Sequence, residues 1–224
     1  FKEMGALGLI GVDLSEEYGG LGLSGVTAGM ITEEIAYADF NVSYMQLLSS
    51  LMGAIIHANA SPELARPWNS RIVAGEAIVA LGLTEPRGGS DAANLQLKAR
   101  REGDEYVLSG EKTSITFADQ ADAMVLFART GKPEEGARGV SAFLVELNQK
   151  GVQRTRFNDV GSKIIGRGSV FFDDVRVPVG NRLGEEGKGF TQVMQGFDFS
   201  RILIALQCVA AAQASIDETW EYVK

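Results

Sequence analysis

The chain has 224 residues, 45% of them hydrophobic, which is enough apolar surface for one large domain or two small ones with real cores. Twenty-nine acidic residues against 21 basic ones give a net charge of -8, which argues against a broad basic face for nucleic acid or anionic lipid. The single cysteine, Cys208, rules out an internal disulfide, and its apolar setting in "LQCVAAAQ" reads as a buried, inert thiol in a reducing, cytoplasmic protein.

Residues 1–79 read as helical. Tyr44, Leu47, Leu48, Leu51 and Ile55 recur at offsets that place them on one helix face, and Ile31 and Ile35 suggest a second helix over Gly25 to Tyr37. Between these, the glycine-rich "EEYGGLGLSG" can only be a loop or a set of turns. His57, the only histidine, excludes a metal site built on several histidines and reads as a partly buried helix residue without special duty.

From Ala80 the pattern changes to short segments rich in Val, Phe and Leu: "LQLKARR", "EYVLSG", "SITFA", "AMVLFAR", "SAFLVEL" and "SVFFDDVRV". Turn signals such as "EGDE" separate them, which predicts a compact antiparallel sheet or barrel over residues 80–189.

Helix returns in residues 190–224, after the glycine-rich "LGEEGKGF". There Ile202, Leu206, Val209, Gln213, Ile216, Trp220 and Val223 step by four and three, the seam of a helical bundle. A seam of that length needs partners, either the N-terminal helices, another subunit or residues beyond Lys224. The chain opens on Phe1 and ends within this helical pattern, so either end reads as trimmed. The longest weakly polar runs, "LLSSLMGAII" and "ILIALQCVAAA", fall short of the roughly 20 apolar residues of a membrane span, and no signal peptide is visible.

In order, "EEYGGLG", "ITEEIA", "GLTEPRGGSD", "GDEYVLSGEKTSIT", "VFFDDVRVP", "LGEEGKGF" and "GFDFSR" resemble the successive motifs of the acyl-CoA dehydrogenase family, from about Gly5 to the end of the chain. The resemblance implies an α+β multidomain fold: an N-terminal all-helical domain, a middle antiparallel β-barrel domain, and the start of a C-terminal four-helix-bundle domain. It further implies noncovalent FAD and oxidation of an acyl-CoA thioester to a trans-2-enoyl-CoA, with electrons passed to an electron-transfer flavoprotein by a homotetramer, or a dimer for this piece.

Residue by residue, the resemblance lays Leu81, Leu83, Thr84, Gly89 and Ser90 along the flavin and acyl chain, with Thr84 at the pyrimidine end of the ring. It puts Ser114, Ile115 and Thr116 at the second flavin segment, where Thr116 reaches the N5 and O4 edge. Ser90, Asp198 and Arg201 correspond to contacts with acyl-CoA, although an Asp and an Arg three apart on a helix equally suit a surface ion pair. Glu85 and Pro86 read as loop support, and Asp91 as a structural cap.

Three positions depart from the family's pattern. Ser114 stands where a tryptophan is common, which alters how the flavin edge is shielded and suits a wider pocket, for instance for an alicyclic or branched acyl group. Ile165 replaces a serine that touches substrate in some members. Ser200 occupies the place where a subset carries its catalytic glutamate, and a serine cannot be the carboxylate base. Glu185, Glu186, Asp173 and Asp174 sit in turns or at a strand end, so the base is expected beyond residue 224. Two alternatives stay open: an acyl-CoA oxidase or flavin monooxygenase on the same fold, and a catalytically inactive fragment or binding module.

Overall fold

The computed structural model describes residues Phe1–Lys224. Four helices come first: α1 (Lys2–Ala6), α2 (Gly25–Ala38), α3 (Tyr44–Asn59) and α4 (Pro62–Val73). Ser24 starts α2 by accepting the Thr27 amide at 3.2 Å, and α4 begins on Pro62, a position whose missing amide costs nothing. The apolar face of α3 predicted from its spacing is buried at Leu47, Leu48, Leu51 and Ile55.

The strands are β1 (Val79–Gly82), β2 (Lys98–Glu102), β3 (Glu105–Ile115), β4 (Ala123–Arg129), β5 (Val140–Glu146), β6 (Val152–Arg154), β7 (Gly168–Pro178) and β8 (Arg182–Leu183). They form one sheet in the order β6-β7-β3-β2-β4-β5-β8, with β1 added beside β4. Most pairs are antiparallel, as alternating turns predict, but β1 runs parallel to β4, pairing Val79 with Ala123 through Gly82 with Leu126, and β2 meets β4 in a parallel bridge of Lys98 with Arg129. The sheet is therefore mixed, because the chain enters β1 from α4 and reaches β4 only after a long connection. Between Lys112 and Ile115 the β3–β7 register slips, and Ser114 takes a left-handed φ of 57° in that irregularity. Asp173 and Asp174 lie inside β7 rather than at a strand end.

A single 35-residue helix, α5 (Gly189–Val223), follows. It packs on α2 and α3 through Val193, Ser200, Leu203, Gln207 and Ala210. Close approach depends on α2 lacking side chains there: a Cβ at Gly25 would stand 2.9 Å from Phe199, and one at Gly29 would stand 2.8 Å from Leu206. The buried stripe of α2 is thus Ala28, Gly29, Thr32 and Ala36, while Ile31 and Ile35 border an open apolar groove with Met4, Leu9 and Met30.

Leu206 of the sequence-derived seam meets α2 at Gly29, but most of that seam does not face the N-terminal helices. Ile202, Val209, Ile216, Trp220 and Val223 are exposed, and so is Cys208, which lies next to this face rather than in a core. By length and composition α5 also reaches the range of a membrane-crossing helix, contrary to the run-length reading, although it lies along α2, α3 and β5. His57 is exposed too, its Nδ1 sharing a 2.7 Å hydrogen bond with the Tyr18 hydroxyl.

Candidate functional site

A cleft of about 330 Å³ opens where the sheet meets α3 and α5. One wall is the end of β1 and the residues after it, Leu81, Leu83 and Thr84; the next is the end of β3, Ser114, Ile115 and Thr116. Tyr44, Leu47, Leu48 and Leu51 from α3 and Phe197, Ser200, Arg201 and Ile204 from α5 complete it. Two segments separated by some thirty positions in the chain are brought together because the Thr113 amide donates to the Thr84 carbonyl at 2.9 Å.

The polar groups in this mostly apolar cleft are few. The Thr84 and Thr116 hydroxyls border it without a hydrogen-bond partner elsewhere in the chain. The Ser114 hydroxyl accepts from Arg167 Nη1 at 3.1 Å, and that guanidinium is held in turn by Asp159 at 2.9 and 2.8 Å and lies over the Phe157 ring. Tyr44 is half-buried, and loss of hydration holds its hydroxyl pKa above the ordinary range.

The loop after β1 rests on buried ions that sequence reasoning missed. Lys112, with 0% of its side chain exposed, donates from Nζ to the Leu83 carbonyl at 3.0 Å and to Glu85 Oε1 at 2.8 Å. Glu85 also accepts the amides of Gln96 at 2.6 Å and Leu97 at 2.9 Å, which gives physical content to its reading as loop support. Burial pushes the Lys112 ammonium down to about 8, with Glu85 opposing that shift and Arg129 adding to it. Arg129 is a second buried cation, donating to the carbonyls of Ala93 at 2.6 Å, Leu95 at 2.8 Å and Gly136 at 3.1 Å. No local signal in the sequence marks Lys112 and Arg129 as buried.

Other predicted site residues lie farther out. Gly89 faces Thr84, so that a Cβ there would come within 3.3 Å of Thr84 Cγ2, while Ser90 is exposed beyond it. Asp198 and Arg201 pair at 3.5 Å with side chains 76% and 64% exposed, and only Arg201 borders the cleft. Asp91 accepts from Asn94 Nδ2 at 2.6 Å at the start of a short 3-10 turn.

No carboxylate borders the cleft. Ser200 does, nearly buried, with its hydroxyl donating to the Phe197 carbonyl at 3.4 Å. Glu186 accepts from the Tyr106 hydroxyl at 2.6 Å, and Asp174 accepts from Ser109 at 2.7 Å, both in structural roles.

Residues 1–76 match the N-terminal domain of acyl-CoA dehydrogenases, residues 80–175 the middle domain and residues 187–224 the C-terminal domain. The chain belongs to the acyl-CoA dehydrogenase family. It is similar to the probable acyl-CoA dehydrogenase YngJ of Bacillus subtilis, 37% identical over 227 residues covering 100% of this chain and 60% of the relative. The caffeyl-CoA reductase-Etf complex subunit CarC of Acetobacterium woodii is 34% identical over 99% of this chain and 59% of its own. Among solved structures, a glutaryl-CoA dehydrogenase from Mycobacterium smegmatis in complex with FADH2 superposes with a TM-score of 0.90 at 28% identity, over 99% of this chain and 56% of that one. The chain thus spans no more than about 60% of the length of these relatives.

Proposed function

We propose that this chain is the flavin- and acyl-binding part of an FAD-dependent acyl-CoA dehydrogenase. The enzyme converts an acyl-CoA thioester to its trans-2-enoyl-CoA and passes electrons to an electron-transfer flavoprotein. The observation that carries the reading is the convergence of two hydroxyl-bearing segments, Leu81–Thr84 and Ser114–Thr116, on one apolar cleft in which the Thr84 and Thr116 hydroxyls have no partner of their own. Unpartnered hydroxyls beside leucines suit a flat heterocycle with a polar edge, so the residues present fit the flavin that acyl-CoA dehydrogenases use.

When bound, FAD supplies the two-electron acceptor of the reaction. Thr84 and Thr116 hold its polar edges; Leu81, Leu83 and Ile115 exclude water from the sheet side; and Gly89 lets backbone approach beside Thr84. Ser90, Asp198 and Arg201 bind the acyl-CoA at the open end, Arg201 as the cation that suits an anionic carrier. The α-proton finds no acceptor among the side chains that border the cleft, since Ser200 is no base at neutral pH, and we assign that carboxylate beyond residue 224.

A relative named as a subunit of an Etf complex supports the electron acceptor. The uncovered apolar face of α5 suits a homotetramer in which bundle helices pack together, and a cytoplasmic setting accords with the lone thiol. Ser114 favours a second reading. It offers only a hydroxyl at the cleft's rim, which leaves the flavin edge open to oxygen, as an oxidase or monooxygenase requires.

The deciding experiment records the visible spectrum of the full-length protein and titrates it anaerobically with straight-chain, branched and alicyclic acyl-CoAs. Bleaching of a bound flavin by one of them is expected, with slow peroxide formation on readmitting air. Rapid peroxide formation selects the second reading, and a flavin that no thioester bleaches defeats the dehydrogenase.

A further inference from the structure

We propose that Lys112 is a positioning residue for the flavin: its ammonium pins the Leu83 carbonyl and so turns the Thr84 amide and hydroxyl toward the cofactor. The proposal rests on the flavin reading of the cleft given above.

Three consecutive residues of the β1 loop are held from one strand. Lys112 Nζ takes the Leu83 carbonyl at 3.0 Å, the Thr113 amide takes the Thr84 carbonyl at 2.9 Å, and Lys112 Nζ takes Glu85 Oε1 at 2.8 Å. The same strand then runs directly into Ser114, Ile115 and Thr116, the other polar segment of the cleft. One short stretch of β3 therefore sets the spacing between the two segments.

The peptide joining Leu83 to Thr84 is planar and trans, so its carbonyl and amide point in opposite directions. With the carbonyl fixed on Lys112, the Thr84 amide is directed away from the lysine, and it finds no acceptor within the chain. Thr84 thus presents two unused hydrogen-bonding groups, the amide and the hydroxyl, on the residue that borders the cleft.

Stability alone does not account for this arrangement. A buried ion pair gains little or nothing over an apolar pair of similar volume, because the desolvation of both charges offsets their attraction. Lys112 has 0% and Glu85 6% of the side chain exposed, so nearly the whole of that cost is incurred. An apolar side chain at residue 112 would fill the space but could not hold a carbonyl, and the Leu83–Thr84 peptide would be free to rotate.

The test measures FAD affinity, the flavin absorption bands and thermal stability of the full-length protein and three variants. K112M leaves Glu85 buried without its cation and should lower both the melting temperature and the FAD affinity, the latter about tenfold, the equivalent of one lost hydrogen bond. K112M/E85Q carries no uncompensated charge but keeps only one of the two oxygens that accept the Gln96 and Leu97 amides, so its melting temperature should recover in part while FAD stays about tenfold weaker and its bands remain altered. In a T84V background only the amide is left to be positioned, so adding K112M should cost clearly less than the tenfold loss it causes in the wild type.

Recovery of FAD affinity together with stability in K112M/E85Q would overturn the positioning role, as would full additivity with T84V. Wild-type protein that binds no FAD at all would instead overturn the flavin reading of the cleft, and this proposal with it.

Discussion

The Thr113 amide donates to the carbonyl of Thr84 at 2.9 Å, and this contact ties the loop after β1 to the end of β3. The backbone of the cleft is therefore set independently of the Thr84 hydroxyl. Replacing Thr84 by valine keeps the shape and the backbone bond but removes the hydroxyl. FAD should bind about tenfold more weakly, with melting temperature nearly unchanged, as measured by flavin fluorescence and thermal denaturation.

Arg201 and Asp198 are 3.5 Å apart and largely exposed, so their mutual attraction is screened by solvent. R201A should change folding stability by less than about 1 kcal/mol while raising the KM for acyl-CoA about tenfold. D198A, removing the outer partner, should raise KM less. Steady-state kinetics of the full-length enzyme decide the matter; an unchanged KM in R201A would reduce the pair to a surface contact.

Lys112 gives stability a distinctive pH dependence. Its ammonium is held at about 8 in the folded chain against an ordinary 10.5, chiefly by burial, with Glu85 raising and Arg129 lowering it. Between these values the unfolded chain binds more protons than the folded one, so the stability of the wild type rises with pH through that window. Below about 8 the penalty is fully present; above 10.5 it is gone. Relative to K112M/E85Q, wild-type protein should gain on the order of 3 kcal/mol from pH 8 to pH 10.5, measured by urea denaturation at each pH.

Gly29 lets α5 lie close on α2, since a Cβ there would stand 2.8 Å from the tip of Leu206. Alanine can be accommodated by a shift of that flexible tip and gains helix propensity. Valine cannot. G29V should destabilise by about 1–3 kcal/mol in chemical denaturation, whereas G29A should lie within about 1 kcal/mol of wild type.

Much of this organisation is legible in the sequence because periodicity and turn chemistry are local. The face of α3 and the succession of strands after Ala80 follow from the spacing of apolar residues. What is not legible depends on distant partners. The buried face of α5 mixes Val193 and Leu203 with Ser200, Gln207 and Ala210, and it approaches the glycines of α2 through Phe199 and Leu206, so its spacing alone does not single it out. Hydropathy favours the opposite, uncovered face, and Cys208 is misplaced with it. Lys112 looks like an ordinary strand lysine until Glu85, 27 positions away, is found against it. The parallel pairing of β1 with β4 likewise has no local mark. Within the site, the residues of Leu81–Thr84 and Ser114–Thr116 come from family motifs, while Tyr44, Phe197 and Ile204 join the cleft only through the packing of α3 and α5.

The cleft has two kinds of wall. On the sheet side, Thr84 and Thr116 sit on backbone fixed by hydrogen bonds to β3, β7 and Lys112; on the helix side, Tyr44, Leu47, Leu51, Phe197 and Ile204 are held by side-chain packing alone. The two walls nevertheless share cores, Leu47 with Ile115 and Leu51 with Leu83, whereas Ile204 is exposed at the cleft's edge. On the proposed function, a change of acyl preference therefore costs the sheet least at Ile204, and more at Leu47 or Leu51, whose replacement is felt on the cofactor side as well.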